Sequence, residues 1–297
     1  MNRFKSYLIK TATKAARSIF RFSGPPYDWF MRTFPPFKKT GIRFWYNTVA
    51  KNFRPTDSVF KLMNYGYASE HPDNFPVLLD ASDKEEFIFS WRLIYETVKE
   101  GNLSGKEVLV VGCGRGGDAY FVKRYLHARS VVGIDLSNRA IDICRKNKNY
   151  HIEGLSFRPG DAENLPFKSR QFDAVVNIES SHCYPDLSRF YSEVYRVLKP
   201  GGLFLYTDFF DDGQNKGLQN LLSGAGFGIL NEVDITQNVI WAAEQGYDWR
   251  KEFVQKSVPK SLAQDALEWS GTKGTPTYRA FKEGVLSYKR FVLGKSP

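Results

Sequence analysis

The sequence VLVVGCGRGGDAY, residues 108–120, decides the fold of this chain. It begins with a run of β-branched and apolar residues, which is typical of a strand buried on both faces of a sheet. Gly112, Gly114, Gly116 and Gly117 then allow the backbone to turn tightly and to approach a ligand closely before a helix begins. Taken alone, this strand–turn–helix element indicates a nucleotide-like ligand without saying which one.

Similar strand-like runs recur downstream, and helical stretches separate most of them. They lie at residues 131–135, 155–159, 172–178 and 202–209. This alternation predicts an α/β fold with a Rossmann-like, doubly wound and mostly parallel sheet. After it come a helix and a strand at 215–235, a helical insertion at about 236–270 that we expect to form a lid, and a last strand at 285–293 that we expect to run antiparallel.

We expect three parts along the chain. Residues 1–40 are predicted to be a basic amphipathic extension with a Pro-rich linker, 41–104 a helical cap, and 105–297 the main α/β domain. Within the cap, residues 41–53 and 83–100 are predicted helices, the second because acids crowd its start and apolar residues recur at helical spacing.

Positive charge is concentrated at the amino-terminal end. The formal net charge is +10, yet residues 1–54 hold twelve Lys or Arg and one acid, Asp28, so the remainder is nearly neutral. A nucleic-acid enzyme would more often carry its positive charge around the catalytic cleft, so we expect no nucleic-acid partner. The asymmetry favours contact between the amino-terminal segment and an anionic membrane surface.

Residues 4–22 predict an amphipathic helix, with apolar residues at helical spacing on one face and Lys and Arg on another. A basic helix with aromatic residues on its apolar side suits the membrane–water interface. Two alternatives stay open, namely packing against the main domain and service as an organelle targeting peptide. The sequence has no run of the roughly 20 apolar residues needed to span a bilayer, so we expect a cytoplasmic protein, peripheral on a membrane.

The three cysteines, Cys113, Cys144 and Cys183, are widely spaced and odd in number. This pattern argues against a disulfide framework or a zinc site and favours a reducing compartment. The sequence also has no convincing set of clustered Asp, Asn and Glu ligands, so we expect no metal.

Further motifs narrow the nucleotide-like ligand. Asp135 ends the second predicted strand, where a carboxylate can accept both ribose hydroxyls of a nucleoside. The segments GDAENLPF (160–167), FDAVVN (172–177) and LKPGG (198–202) then follow in that order. With these motifs the chain resembles the class I S-adenosylmethionine (SAM)-dependent methyltransferases.

This resemblance implies SAM as the cofactor and assigns nine residues to its site. They are Gly112, Cys113, Gly114, Gly116, Asp135, Leu136, Asp161, Ala162 and Asn177. By resemblance, the loop glycines surround the methionine part of SAM, Asp135 holds the ribose, and Asp161 accepts from the adenine amino group. Leu136 and Ala162 lie near the adenine, and the carbonyl of Asn177 borders the methionine amine. Many family members have an acidic residue where this chain has Val110.

The segment after the fourth strand, NIESSHCYPD (177–186), contains the candidate catalytic residues Glu179 and His182. Asp208 ends the fifth strand, and the carboxyl ends of parallel strands meet at the edge of the sheet where ligands bind. A hydroxyl nucleophile must lose a proton during methyl transfer, usually to His or a carboxylate. These three residues are therefore expected beside the reacting atoms.

Here the resemblance becomes narrower. The segment at 177–186, together with MNYGYA (63–68) and LSYKRF (286–291), resembles the phthiotriol and phenolphthiotriol dimycocerosate methyltransferase group. It is also similar to O-methyltransferases of natural-product pathways. The resemblance implies His182 as general base, Asp208 as the residue that orients or assists it, and Glu179 as a pocket or SAM-positioning residue.

The predicted activity is SAM-dependent O-methylation of a hydroxyl on a hydrophobic or lipid-linked small molecule. C-methylation of the sterol or quinone kind is an alternative, because it shares the fold and needs no strong base. A membrane-associated, SAM-binding partner protein without catalysis is an alternative of another class.

Overall fold

The structure is a computed structural model, and it describes residues 43, 47, 62–70, 79, 87–257, 260 and 263–297. The predicted amphipathic helix at 4–22 and the Pro-rich linker lie outside these residues. Of the predicted helix at 41–53, the structure describes Arg43 and Asn47, and both are helical.

Seven strands form one sheet within the described part of the chain. They are β1 (Glu107–Val111), β2 (Ser130–Asp135), β3 (Leu155–Pro159), β4 (Phe172–Ile178), β5 (Leu198–Asp211), β6 (Phe227–Asp234) and β7 (Leu286–Lys295). Their order across the sheet is β3-β2-β1-β4-β5-β7-β6. Strands β1 to β5 pair in parallel, whereas β7 lies antiparallel between β5 and β6. The predicted Rossmann-like sheet with an antiparallel last strand is confirmed.

Helices cover both faces of the sheet or connect its strands. They are α1 (Ile88–Val98), α2 (Gly117–Tyr125), α3 (Asn138–Lys146), α4 (Leu187–Val197), α5 (Asp212–Gly224), α6 (Thr236–Gln245), α7 (Tyr247–Ser257), α8 (Ala263–Trp269) and α9 (Pro276–Lys282). Helices α6 to α8 occupy the predicted insertion between β6 and β7. The described part of the predicted helix at 83–100 is α1 followed by a 3-10 turn, Lys99–Gly101.

The central strand β1 shows why both faces of the sheet are apolar. Val108 and Val110 point into one hydrophobic core, and Leu109 and Val111 point into a second core on the opposite face. Successive side chains of a strand alternate between faces, so a strand covered on both sides becomes a continuous apolar run. This arrangement fixes the carboxyl edge of the sheet, where the loops after β1, β2 and β4 come together.

Candidate active site

The loop after β1 has the backbone conformation that the glycine pattern predicts. Gly112 has φ +70° and Gly114 has φ +50°, a left-handed region that L side chains rarely adopt. Space is short as well, since a Cβ atom on Gly112 would lie 1.8 Å from Oγ of Ser180. A Cβ atom on Gly114 would lie 2.7 Å from the Met63 side chain. The loop therefore needs glycine at both positions.

Asp135 ends β2 directly beside this loop. Its carboxylate accepts the main-chain N–H of Gly114 at 3.0 Å and that of Ser137 at 2.8 Å. Burial raises the pKa of Asp135, while these two hydrogen bonds act in the opposite direction. Ser137 also caps α3, because its side chain accepts the N–H of Ala140. The start of α3 and the glycine loop together hold the carboxylate in place, and its remaining lone pairs can accept from a ligand.

A cleft with an empty volume of about 750 Å³ opens at this edge of the sheet. Six of the nine residues predicted to bind the cofactor line it: Gly112, Gly114, Asp135, Leu136, Asp161 and Ala162. Glu179 lines the same cleft, as does Met63 from the front segment. The structure thus brings most of the predicted cofactor residues together around one space.

The other three predicted cofactor residues do not line the cleft. Cys113 is buried, with 4% of its surface exposed. A Cβ atom on Gly116 would lie 2.7 Å from the ring of Phe157, so this glycine is needed for close packing. The Asn177 side chain is fully buried and donates to the carbonyl oxygen of Val111 at 2.9 Å. These residues support the loop from its protein side, and their roles toward SAM stay predictions.

The cleft fits a nucleoside carrying an amino-acid chain. The glycine loop leaves a cradle that a Cβ atom would fill, and Asp135 presents a partly buried carboxylate to it. Asp161 accepts the main-chain N–H of Glu163 at 3.0 Å, which fixes its carboxylate at the cleft wall. Apolar side chains of Ile134 and Leu136 complete the lining. The residues that would hold SAM are therefore present in one place.

His182 and Asp208 form the closest pair of candidate catalytic side chains. The Nδ1 atom of His182 lies 2.8 Å from Oδ1 of Asp208. The Asp208 side chain is fully buried, whereas a quarter of the His182 side chain, 25%, is exposed. Because Nδ1 is engaged by the carboxylate, Nε2 is the nitrogen that could take a proton from a substrate.

Other donors hold the Asp208 carboxylate in position. Its Oδ2 atom accepts the Ser181 hydroxyl at 2.6 Å and the main-chain N–H of His182 at 3.1 Å. Its Oδ1 atom also accepts the main-chain N–H of Phe209 at 2.9 Å. Burial alone raises the pKa of Asp208, but His182 and these hydrogen bonds bring it below its ordinary value. Asp208 is therefore a carboxylate at neutral pH.

The surroundings of the His182 ring determine its pKa and its orientation. Burial on its own lowers the pKa of His182, but Cys183 and Asp208 raise it well above its ordinary value. The ring of His182 lies against the ring of Phe209, with 4.4 Å between the ring centroids. His182 is thus oriented by Asp208 on one side and by an aromatic ring on another.

Glu179 stands apart from this pair and makes its own contacts. Its Oε1 atom accepts the main-chain N–H of Tyr65 at 2.7 Å and the hydroxyl of Tyr288 at 2.5 Å. Its backbone has φ +45°, which is unusual for a residue other than glycine. Burial raises the pKa of Glu179 to about 8, although the hydrogen bonds from Tyr288 and Tyr65 act in the opposite direction. Glu179 therefore joins the cofactor cleft to the front segment.

Three residues of the site were not predicted to contact the candidate catalytic residues. Ser181 donates to Asp208, and Tyr65 and Tyr288 donate to Glu179. Tyr65 and Tyr288 lie in the MNYGYA and LSYKRF segments. These segments supported the family resemblance, but nothing in them indicated a contact with Glu179. The contacts of Glu179 span 114 and 109 residues of sequence, so local spacing could not indicate them.

Within the described residues, no group of three or more His, Cys, Asp or Glu side chains is arranged to hold a metal ion. None of the helices in that part of the chain combines the length and the apolar character needed to cross a bilayer.

Comparison with known proteins agrees with this geometry. The family model described as "Methyltransferase domain" matches residues 109–206, which contain the glycine loop, Asp135 and His182. The phthiotriol/phenolphthiotriol dimycocerosates methyltransferase of Mycobacterium tuberculosis is 34% identical over 253 residues, which cover 85% of this chain and 91% of that relative. The fatty-acid O-methyltransferase of Mycolicibacterium smegmatis is 36% identical over 251 residues, covering 84% and 88% of the two chains.

A solved structure shows the same fold at lower sequence identity. Geranyl diphosphate C-methyltransferase from Streptomyces coelicolor superposes with a TM-score of 0.62 and 17% identity, covering 87% of this chain and 98% of that one. At this identity the likeness concerns the fold alone. The two curated relatives decide the family, and six of the predicted cofactor residues line the cleft. The chain belongs to the SAM-dependent methyltransferases, in the family that includes the phthiotriol/phenolphthiotriol dimycocerosates methyltransferases.

Proposed function

We propose that this enzyme transfers a methyl group from SAM to a hydroxyl oxygen of a hydrophobic or lipid-linked small molecule. The observation that carries the proposal is the hydrogen bond between His182 Nδ1 and the buried Asp208 carboxylate. Transfer to carbon of the sterol or quinone kind needs no strong base, whereas transfer to a hydroxyl requires that a proton leave. A histidine backed by a buried carboxylate is the arrangement that removes such a proton.

Each residue of the pair has a distinct part in this chemistry. SAM supplies, when bound, a methyl group on a positively charged sulfur. His182 accepts the hydroxyl proton at Nε2 while Nδ1–H is donated to Asp208. Asp208 holds the ring in that tautomer and stabilises the positive charge that the imidazole gains. Because methyl transfer is an in-line displacement, the same pair also fixes the position of the substrate oxygen.

Glu179 acts on the cofactor side in this proposal. It lines the cleft and is bonded to Tyr65 and Tyr288, so its contacts are those of a positioning residue. With its pKa at about 8, much of Glu179 is protonated at neutral pH, and a protonated carboxyl is a poor base.

The names of the relatives support a hydrophobic substrate. One is named for dimycocerosates and the other for a fatty acid. Aromatic side chains around the pair support it as well. The ring of Tyr65 lies 5.7 Å from that of Phe209, which in turn contacts His182. Such walls exclude water and favour apolar ligands.

We also propose peripheral membrane contact through residues 1–22, in a cytoplasmic enzyme with no nucleic-acid partner. Its support is the excess of Lys and Arg in residues 1–54 and the helical spacing of apolar residues in 4–22. The test is sedimentation with anionic vesicles, for the full chain and for a chain lacking residues 1–40. Equal sedimentation of the two proteins would overturn this part of the proposal.

The test of the chemistry uses purified protein, isotope-labelled SAM and a lipid extract, with mass spectrometry of the products. We expect a labelled lipid whose fragmentation places the methyl group on oxygen. A label on carbon would establish C-methylation instead. The matched variants are His182→Gln, expected to lose turnover while keeping SAM affinity, and His151→Gln, an exposed histidine expected to behave as the native enzyme. Unchanged turnover in His182→Gln would mean that positioning alone drives transfer.

A further inference from the structure

We propose that a second chamber, next to the cofactor cleft, holds the hydrocarbon chain of the methyl acceptor. This inference rests on the proposed function and names the part of the substrate that lies outside the reacting centre. The chamber is open on one side, and the space free of protein atoms within it and at its mouth is about 1,020 Å³. It lies between the front segment at residues 62–65, the start of α1, and the insertion helices from Gln245 to Ser270.

The walls of the chamber are largely aromatic and aliphatic. Phe87, Trp249 and Phe253 form one wall, with centroid separations of 5.2 Å, 5.7 Å and 5.2 Å among the three rings. Val254 and Ala266 line the chamber in the insertion and are themselves buried, at 4% and 7% exposure. Surfaces of this kind gain free energy by removing methylene groups from water. They offer little to a polar ligand.

The long polar side chains that line the chamber are bonded to the protein's own main chain. The Asn64 amide donates to the carbonyl oxygen of Ser90 at 3.3 Å, and the Gln245 amide donates to that of Ser69 at 3.4 Å. A headgroup in the chamber would have to displace these bonds. A saturated chain has no polar atoms and would leave them intact.

Arg250 is the charged residue in this lining, and it is bonded to both walls of the chamber. Its guanidinium donates to the carbonyl oxygen of Ser270 at 2.7 Å and also to that of Tyr65. The side chain is buried, with 7% exposed. Arg250 thus links the front segment to the insertion through hydrogen bonds to the main chain of both.

The chamber adjoins the reacting centre, because Met63 and Tyr65 contact both. Met63 lines both the cofactor cleft and the chamber. Tyr65 lines the chamber, donates its main-chain N–H to Glu179, and packs on Phe209, the ring that contacts His182. A substrate whose hydroxyl lies at His182 could therefore extend its chain past Met63 and Tyr65 into the chamber.

The experiment uses a long-chain saturated primary alcohol with a diazirine near its methyl end. The full-length enzyme is irradiated with this probe in the presence of SAM, and crosslinked peptides are located by mass spectrometry. Crosslinks are expected on α7 and α8. The variant Ala266→Phe fills the chamber, and Gln255→Phe places the same side chain on the exposed side of α7 as a control. Crosslinking should fall about tenfold or more in the first variant, because several methylene groups lose their burial, and stay unchanged in the second.

Folding is checked by SAM affinity, which Ala266→Phe should preserve. If that variant does not fold, Phe253→Ala replaces it, since an enlarged chamber should shift the preference of the enzyme toward longer alcohols. Crosslinks that persist when the chamber is filled would overturn the inference. Crosslinks on residues 1–61 would also overturn it, because the probe would then contact the amino-terminal segment of the chain.

Methyl transfer to the same alcohol is measured in parallel. Crosslinks in the chamber without transfer would contradict the proposed function and uphold the chamber, whereas transfer without such crosslinks would do the reverse.

Discussion

The Nδ1 atom of His182 lies 2.8 Å from Oδ1 of Asp208, and the two residues meet at the carboxyl edge of the sheet although one lies in a turn and the other in a strand. His182 follows β4, and Asp208 lies near the end of β5, the parallel neighbour of β4. Parallel pairing places both carboxyl ends at the same edge, so residues 26 positions apart become partners. Since Asp208 is buried and Ser181 also donates to it, the imidazole is held in one orientation.

Asp208→Asn should change both the height and the position of the pH–rate profile. The base is neutral His182, so kcat of the native enzyme rises as the pH rises through the pKa of His182, which lies above its ordinary value. Removing the carboxylate lowers that pKa, so the rising limb should move to lower pH. The plateau should fall by about 10²–10⁴, because the imidazolium loses its stabilising partner.

The measurement is kcat against pH at saturating SAM for the native enzyme, Asp208→Asn and Asp212→Asn. Asp212 is exposed at the start of α5, so its variant should follow the native profile. A profile of Asp208→Asn that keeps the native midpoint would show that His182 is not the group that titrates.

Glu179→Gln should change the pH dependence of stability. In the folded chain the pKa of Glu179 is raised from 4.5 to about 8 by burial. The unfolded chain therefore releases this proton first as the pH rises, so the contribution of Glu179 to the free energy of unfolding falls between about pH 4.5 and pH 8. Below that window the contribution is fully present.

The measurement is urea unfolding of the native chain and of Glu179→Gln over this pH range. The difference between their free energies of unfolding gives the contribution of Glu179 at each pH. We expect that difference to fall with rising pH across the window. Glu193→Gln serves as the control, because Arg196 lowers the pKa of Glu193 from 4.5, so its contribution is fully present above about pH 4.5 and should stay constant across the window. A flat difference for Glu179→Gln would mean that burial does not raise the pKa of Glu179 in the folded chain.

The sheet could be predicted from the sequence because buried parallel strands are continuous apolar runs. The predicted strand at 172–178 coincides with β4, whereas β5 begins at Leu198, before the predicted start at residue 202. The difference has a physical cause. Leu198 pairs with Phe172 before a register shift, and the sequence between Leu198 and Leu203 reads as a turn, so the strand was predicted to begin after it. Apolar runs define strand interiors well, and bulges alter their ends.

The candidate site could be predicted only in part. The pair of His182 and Asp208 follows from the parallel sheet, because each residue lies at a strand end. The bonds from Tyr65 and Tyr288 to Glu179 depend on how the front segment and β7 pack across that edge. They also depend on the left-handed backbone of Glu179, which no periodic pattern encodes. Residues that line the cleft can be predicted from motifs. The residues that hold them in position can be identified only from the tertiary packing.

Asp135→Asn should weaken SAM binding more than it slows transfer. The carboxylate lines the cleft and accepts from Gly114 and Ser137, so the amide would turn a donor toward one of these N–H groups or toward the ligand. Loss of hydrogen bonds to a charged group costs about 1.5–3 kcal/mol, which corresponds to roughly ten- to a hundredfold in affinity.

Isothermal titration with SAM measures this loss. Asp142→Asn is the matched control, since Asp142 is exposed on α3 and lies seven residues further along the chain. Equal SAM affinity for the native enzyme and Asp135→Asn would remove Asp135 from the cofactor site.

Gly112→Ala and Gly201→Ala should separate backbone strain from steric conflict. Both glycines have a left-handed backbone, with φ +70° and +73°. A Cβ atom on Gly201 would meet nothing within 4 Å, so Gly201→Ala should cost only the conformational strain, about 1–2 kcal/mol of the free energy of unfolding.

A Cβ atom on Gly112 would lie 1.8 Å from Oγ of Ser180, which is itself bonded to the hydroxyl of Tyr184. The loop must therefore shift in Gly112→Ala, and SAM affinity should fall together with stability. Urea unfolding and SAM titration of both variants distinguish the two effects. If Gly112→Ala bound SAM as tightly as Gly201→Ala, the loop around Gly112 could not be part of the cofactor site.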